Sequence, residues 1–292
     1  MKRVHLFFWC VLALISCEKD IQITPSDNQP KLVVDAEIEN GRPPLVVLST
    51  SLNYFSTIDT ATLFASYIQD ALVQLSNGSR TVILERNEVK TQGGARLVFY
   101  TSSLNNMMLG ETGKTYQLTI RHNGQEYQST TTIPNITKTI DSLWSDKVPN
   151  RPANDSFRVL KGSIFDPPGL GNYIRYFTRV NSQPFFPGFN SVFDDDIIDG
   201  KKYNITIDRG VNRNLPFERE NYGFFKLGDT ITVKLTNIDK ASFEFWRTWE
   251  FAFQSIGNPF SSPGVVKGNI SNGALGAFCG YGSQYKTYIC KD

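Results

Sequence analysis

Two Asn-Gly steps set between short alternating runs constrain this chain more than any other feature. ALVQL (71–75) and TVILE (81–85) flank Ser76-Asn77-Gly78-Ser79, and YQLTIRH (116–122) and EYQSTTTI (126–133) flank Asn123-Gly124. A two-residue type I′ turn needs positive φ at both central positions, which Asn and Gly supply at low cost. Apolar residues at every second position place one face of each flanking strand on a core. KLVVDAEIE (31–39) and PLVVLSTS (44–51), joined by the turn Asn40-Gly41-Arg42-Pro43, follow the same pattern, as does RLVFYTS (96–102). About seven strands in about 105 residues is the dimension of an immunoglobulin-like or transthyretin-like sandwich, here residues 31–134.

The second half repeats the habit with FRVLKGSIFD (157–166), NYIRYFTRVN (172–181), KKYNITID (201–208) and DTITVKLTNI (229–238). Residues 135–156 end in a polar, proline-bearing stretch and are expected to link the halves. DKASFEFWRTWEFAFQSIG (239–257) breaks the period of two. Its Phe243, Trp246, Trp249, Phe253 and Ile256 recur at spacings of three and four, which predicts a helix over about 239–256. Asp239 is placed to cap its start and Gly257 to end it. The aromatic stripe is expected to pack on the second sheet. The expected fold is therefore all-β, with two β-sandwich-like domains at 31–134 and 157–292 and one short helix in the second. A Gly-rich tail ends the second domain.

The N-terminus carries a different signal. Met1-Lys2-Arg3 precedes an apolar run from Val4 to Ile15, then Ser16-Cys17. The run is too short for a permanent span and reads as a secretory signal peptide, residues 1–16. Leu14-Ile15-Ser16-Cys17 looks like a bacterial lipobox, in which the Cys17 thiol takes the lipid. Residues 17–30 then form a polar, lipidated tether. Several acyl chains, at about 0.8 kcal/mol per buried methylene, make a lasting anchor in outer-membrane lipid. Glu18-Lys19-Asp20 slightly favours the cell surface over the periplasmic face. Without Lys2 and Arg3 the 30 basic side chains become 28, equal to the 28 acidic ones. That balance gives no electrostatic footprint for nucleic acid.

Few residues offer chemistry. Cys279 and Cys290 read either as a disulfide or as two separate buried thiols. His122 is the one histidine beyond the signal and sits beside a turn, so a histidine-based catalytic set is not expected. Asp194, Asp196 and Asp199 are weak calcium candidates in a loop whose spacing is not that of an EF-hand; a solvated turn is the favoured reading. No other metal and no cofactor is expected beyond the lipid. Phe185, Phe186, Phe189 and Phe193 lie on a segment punctuated by Pro184, Pro187 and Gly188. Such a loop either covers a sandwich end or offers an apolar contact to a ligand or partner. Many carboxylates are available for a hydrolase, but nothing selects a pair.

The C-terminal stretch NPFSSPGVVKGNISNGALGAFCGYG (258–282) is the most distinctive piece. Together with the lipobox, LVVDAEIENGRPPLVVLSTS, GKTYQLTI (113–120), IDSLW (140–144), FDPPGLGNYIRY (165–176) and FDDDIIDG (193–200), it resembles a family of Bacteroidota outer-membrane lipoproteins, domain of unknown function 4249. The tail cysteines fall outside that pattern. The resemblance implies a lipid-anchored, all-β outer-membrane protein, often encoded beside a TonB-dependent transporter, and supplies no catalytic residues. With the anchor, the two β domains and the shortage of histidine, the preferred expectation is a non-enzymatic accessory lipoprotein that holds substrate or regulates access at such a transporter. A free-standing glycan- or peptide-binding lipoprotein is the alternative, and a carboxylate-based hydrolase ranks third.

Overall fold

The computed structural model describes residues 29–52, 59–90, 94–152, 154–215, 219–256 and 264–291. The signal peptide, Cys17, most of the tether and Gly257 lie outside the described residues. Alternating burial builds the first strands: in β1 (Leu32–Glu39) Val34, Ala36 and Ile38 are buried while Asp35 and Glu37 face away. β2 (Leu45–Thr50), a short helix α1 (Thr60–Ser66), β3 (Leu72–Ser76), β4 (Thr81–Lys90), β5 (Arg96–Thr101), β6 (Thr115–His122) and β7 (Gln125–Thr132) follow. The second half contains β8 (Thr139–Lys147), β9 (Phe157–Phe165), β10 (Tyr173–Val180), β11 (Phe186–Phe193), β12 (Lys202–Ile207), β13 (Phe225–Lys226), β14 (Thr230–Ile238), α2 (Lys240–Ser255) and β15 (Leu275–Ile289).

The two Asn-Gly steps behave differently. His122 pairs with Gln125 across Asn123 and Gly124, both at positive φ, so this is the expected two-residue turn. In the other hairpin Ser76 pairs with Thr81, leaving a four-residue loop. There only Gly78 has positive φ, and the Asn77 side chain accepts the N–H groups of Ser79 and Arg80. Opposing Leu75 and Val82, both buried, fixes that register.

Eleven strands run in the order β11-β10-β14-β15-β1-β2-β5-β4-β3-β6-β7. β4 turns the sheet over: Thr81–Leu84 pair with β3, and Glu85–Lys90 pair with β5. The apolar face of β1 and β2 thereby meets that of β3 and β6, enclosing Val34, Ile38, Leu48, Val73, Leu75, Leu118, Ile120 and Phe278. A second sheet, β12-β9-β13 with β8 on the far side of β9, packs its Leu160, Ile164, Ile207 and Phe225 against Ile174, Ile231, Val233 and Leu235. α2 covers the other face of β10, β14 and β15 through Phe243 and Phe245, which pack with Ile238, Ala277 and Tyr281. The helix starts as expected, with Asp239 accepting the Ser242 N–H at 2.8 Å.

The halves expected at 31–134 and 157–292 each have an apolar cluster, yet they share one backbone sheet. Lys31–Asp292 form one compact unit. β15 makes the join: Leu275–Tyr281 run parallel to β1, and Tyr281–Ile289 run antiparallel to β14. Gly276 permits it, because at φ +94° a Cβ there would lie 1.9 Å from the Val34 carbonyl oxygen. Residues 135–156 are not simply a linker, since β8 occupies nine of them. Ile140 is buried in the core with Leu143 packed against it, while a register shift between Ile140 and Ser142 and a largely half-buried remainder leave no clean alternation. At the junction, Lys138 and Asp166 are fully buried 2.8 Å apart. The Lys138 backbone exchanges hydrogen bonds with the Asn237 side chain, N–H to Oδ1 and Nδ2 to carbonyl, each at 3.0 Å.

Candidate functional site

A cavity of about 1050 Å³ opens between α2, the end of β11 and the outer edge of β12. Its floor is Ile174 and Tyr176 of β10, with Tyr203 and Ile205 of β12 on one side and Val192 and Phe193 of β11 on the other. Period-two alternation puts Ile174 and Tyr176 on the same face. Tyr176 leans over β11 and stacks on Phe193, centroids 6.1 Å apart. Only glycine fits beneath it, because a Cβ on Gly188 would lie 2.0 Å from the tyrosine hydroxyl. Burial raises the Tyr176 pKa far above the ordinary phenol value, with Asp208 adding to the effect, so the ring is neutral. Phe251 of α2, 57% exposed, and Ile197 and Val265, 94% and 85% exposed, flank the cavity with apolar surface.

Charged groups around it are engaged in pairs. Arg247 reaches Asp194 at 3.3 Å and Lys267 reaches Glu244 at 3.6 Å, both at the exposed rim. Glu250, buried in the wall, accepts the Ser191 N–H at 2.9 Å, the Ser191 hydroxyl at 2.5 Å and Arg213 Nη2 at 3.1 Å. Burial lowers the Arg213 pKa, and Glu250 opposes the shift. Arg213 also lies over the Trp249 ring at 4.9 Å and donates to the Phe189 carbonyl at 3.1 Å. Behind this wall, Arg175 donates to Ser191 Oγ at 3.1 Å and to the Tyr281 hydroxyl at 3.2 Å, and its guanidinium carbon sits 3.4 Å from the Trp246 ring centroid. Among the described residues Arg213 Nε has no hydrogen-bond partner, so the network is extensive but not fully satisfied.

The strand reading also overlooked a row of carboxylates. Asp35, Glu37 and Glu39 share the helix-side face of β1. Burial raises the pKa of Asp35, opposed by Arg175, and of Glu37, opposed chiefly by Lys234. Asp35 nonetheless keeps solvent contact. Glu39 is bound by Lys234, by the Tyr285 hydroxyl and, at 3.6 Å, by Arg42. The alternation of acidic residues in VDAEIE was the available signal.

The residues singled out from sequence disperse. The four phenylalanines belong to an edge strand and its approach, not to a loop. Phe193 lines the cavity, Phe189 packs edge-on to Tyr222 at 5.8 Å, and Phe185 packs on Tyr285 at 5.8 Å beneath Arg179. Phe186 pairs with Thr178. Asp194 is held by Arg247, and Asp199 accepts the Gly169 N–H at 2.6 Å. Asp196 is exposed. Among the described residues no group of three or more His, Cys, Asp or Glu side chains is gathered as if to hold a metal, and Asp194, Asp196 and Asp199 are not brought together in one. Asp195 is the structural member of that run: burial raises its pKa, but the N–H groups of Asn172 and Gly171 and the Asn172 side chain more than offset this and hold it low. The bridge considered between Cys279 and Cys290 is not formed. Eleven positions along one extended strand separate them by about 36 Å, whereas a disulfide needs Cα atoms within about 7 Å. His122 lies 3.3 Å from Asp70 at the hairpin end, away from the cavity residues.

A family model described as a domain of unknown function (DUF4249) matches residues 18–287. No curated protein matches the chain.

Proposed function

The chain belongs to the DUF4249 family, and from that premise we propose that it is a lipid-anchored outer-membrane protein that holds a ligand for a TonB-dependent transporter. The observation that carries the ligand-holding role is the cavity between α2, β11 and β12, whose apolar floor is framed by paired charges. Ligand sites are concave, mostly apolar and fixed by a few polar groups. Glu250, Arg213 and Arg175 are held by one another or by neighbouring hydroxyls and rings, which suits them to shaping a wall. The proposed role is therefore non-enzymatic. The lipobox ending at Cys17 supports anchorage, with the cell surface the favoured face.

The test is a mild-detergent pull-down of C-terminally tagged protein from its native outer membrane, followed by mass spectrometry. Recovery of a stoichiometric TonB-dependent transporter is the expected result. Recovery of the lipoprotein alone counts against the transporter. The alternative is a free-standing glycan- or peptide-binding lipoprotein, which saturable binding by the isolated protein without any transporter would favour.

A further inference from the structure

Two sheet edges meet at the cavity, and the protein treats them differently. β11 ends the eleven-stranded sheet and β12 ends the smaller one. The outward backbone groups of β11 are already occupied at Phe189 and at the Ser191 N–H. Ser191 N–H donates to Glu250, Phe189 N–H donates to the Tyr222 hydroxyl at 3.0 Å, and the Phe189 carbonyl accepts Arg213 and Gln254. Side chains thus stand in for the missing neighbouring strand.

Among the described residues β12 has no such cover. The Asp166 N–H donates to the Lys201 carbonyl, and the ladder continues with Tyr203 opposite Ile164 and Ile205 opposite Gly162. In an antiparallel ladder, hydrogen-bonded pairs recur at every second residue. Tyr203 and Ile205 therefore spend their backbone groups on β9, while those of Asn204 and Thr206 point the other way, to the free edge. Asn204 and Thr206 are exposed and line the cavity. Unpaired edges of this kind are a template for another chain, and proteins usually blunt them.

We propose that the cavity is the berth of a missing strand: an extended oligopeptide ligand pairs with the outer edge of β12 through the backbone of Asn204 and Thr206. This rests on the ligand-holding reading above and assigns its ligand class. A strand matching the six residues of β12 is about 20 Å long. Every second side chain of that strand faces Ile174, Tyr176 and Phe193, so the ligand carries apolar residues at alternate positions. Main-chain bonds supply affinity and the floor supplies selectivity, as in other cases of strand addition. The berth is closed at one end, where the chain after β12 crosses to β11 and the Val211 N–H donates to the Pro187 carbonyl at 3.0 Å. A closed end suits a short peptide better than a continuous chain.

The experiment uses the full-length, detergent-solubilised lipoprotein and a fluorescein-labelled decapeptide alternating Val, Phe and Ile with Thr and Ser. The same decapeptide is prepared with N-methyl groups on every second amide, in each of the two registers. Saturable binding is expected, weakened at least tenfold by N-methylation in one register and little changed in the other. Asn204→Ala, which keeps the N–H, should bind like the parent. Asn204→Pro should lose binding, because it removes the outward donor and leaves the β12–β9 bonds in place. Should that variant fail to fold, slowed hydrogen exchange at the Asn204 and Thr206 amides of the parent protein on peptide addition gives the same support. Binding indifferent to N-methylation in both registers, or no peptide binding at all, overturns the inference. Either result would leave the transporter reading standing, since that falls only if the pull-down recovers no transporter.

Discussion

Asp239 accepts the backbone N–H of Thr132 at 2.9 Å through one carboxylate oxygen while the other caps α2 at Ser242. The Thr131 hydroxyl donates to the same carboxylate at 2.8 Å. One side chain therefore fastens the last strand of the N-terminal half to the first turn of the helix. Asp239→Ala should lower the unfolding free energy by about 3 kcal/mol, a lost cap of about 1 kcal/mol plus hydrogen bonds to a charged group. Asp239→Asn should cost about half as much. Urea denaturation followed by circular dichroism measures both.

Lys138→Met leaves the Asp166 carboxylate without its cation in a fully buried site. The expected loss is about 3–5 kcal/mol. Adding Asp166→Leu should recover most of it, because two apolar groups strand no charge. A double-mutant cycle in denaturant checks this, and an additive result would show that the pair is not coupled.

Tyr281→Phe removes the oxygen that accepts from both Arg175 and the Trp246 indole N–H, the latter at 2.9 Å. Two buried donors lose a partner, so a loss of about 1–3 kcal/mol is expected. Tryptophan emission should shift as well, because the Trp246 indole bond is broken. An unchanged spectrum would mean that the hydroxyl does not hold the ring.

Burial pushes the Cys279 thiol up to about 12, with a Ser242 hydrogen bond opposing. The thiolate is the reactive form. Cys279 should therefore escape alkylation by iodoacetamide at pH 8 in native protein and react once the protein is unfolded, as peptide mass spectrometry would show. The linkage has a definite sign. The folded pKa lies above the unfolded value of 9.0, so its contribution to stability is complete below pH 9 and is lost as pH rises toward 12. The unfolding midpoint should fall across that window.

Strand identity was legible wherever apolar alternation and turn residues agreed, as at β6 and β7, where Asn123-Gly124 fixes a two-residue turn. The helix was legible because Phe243, Trp246, Trp249 and Phe253 keep a helical period beside a capping aspartate. β8 was missed because Ile140 is its one buried apolar side chain and proline follows closely. The continuity of the sheet was out of reach for a different reason. Local pattern says which residues form strands, but not that Ala277 will lie beside Asp35, more than two hundred positions away. The cavity shares that difficulty, since its walls come from β10, β11, β12 and α2. Of the candidate site residues named in advance, Phe193 and Asp194 line it, and Phe243 of the helical stripe joins them.

β15 follows β1 by more than two hundred positions yet is set inside the sheet, between β1 and β14. Synthesis delivers β1 more than two hundred positions before the strand that completes its edge, so that edge must wait. Pairings of such long sequence separation fold slowly. During that interval Val33 to Glu39 offer an open template to any passing strand, including those of sister molecules. A chain of this design depends on being kept apart from its own copies until residue 289 has arrived.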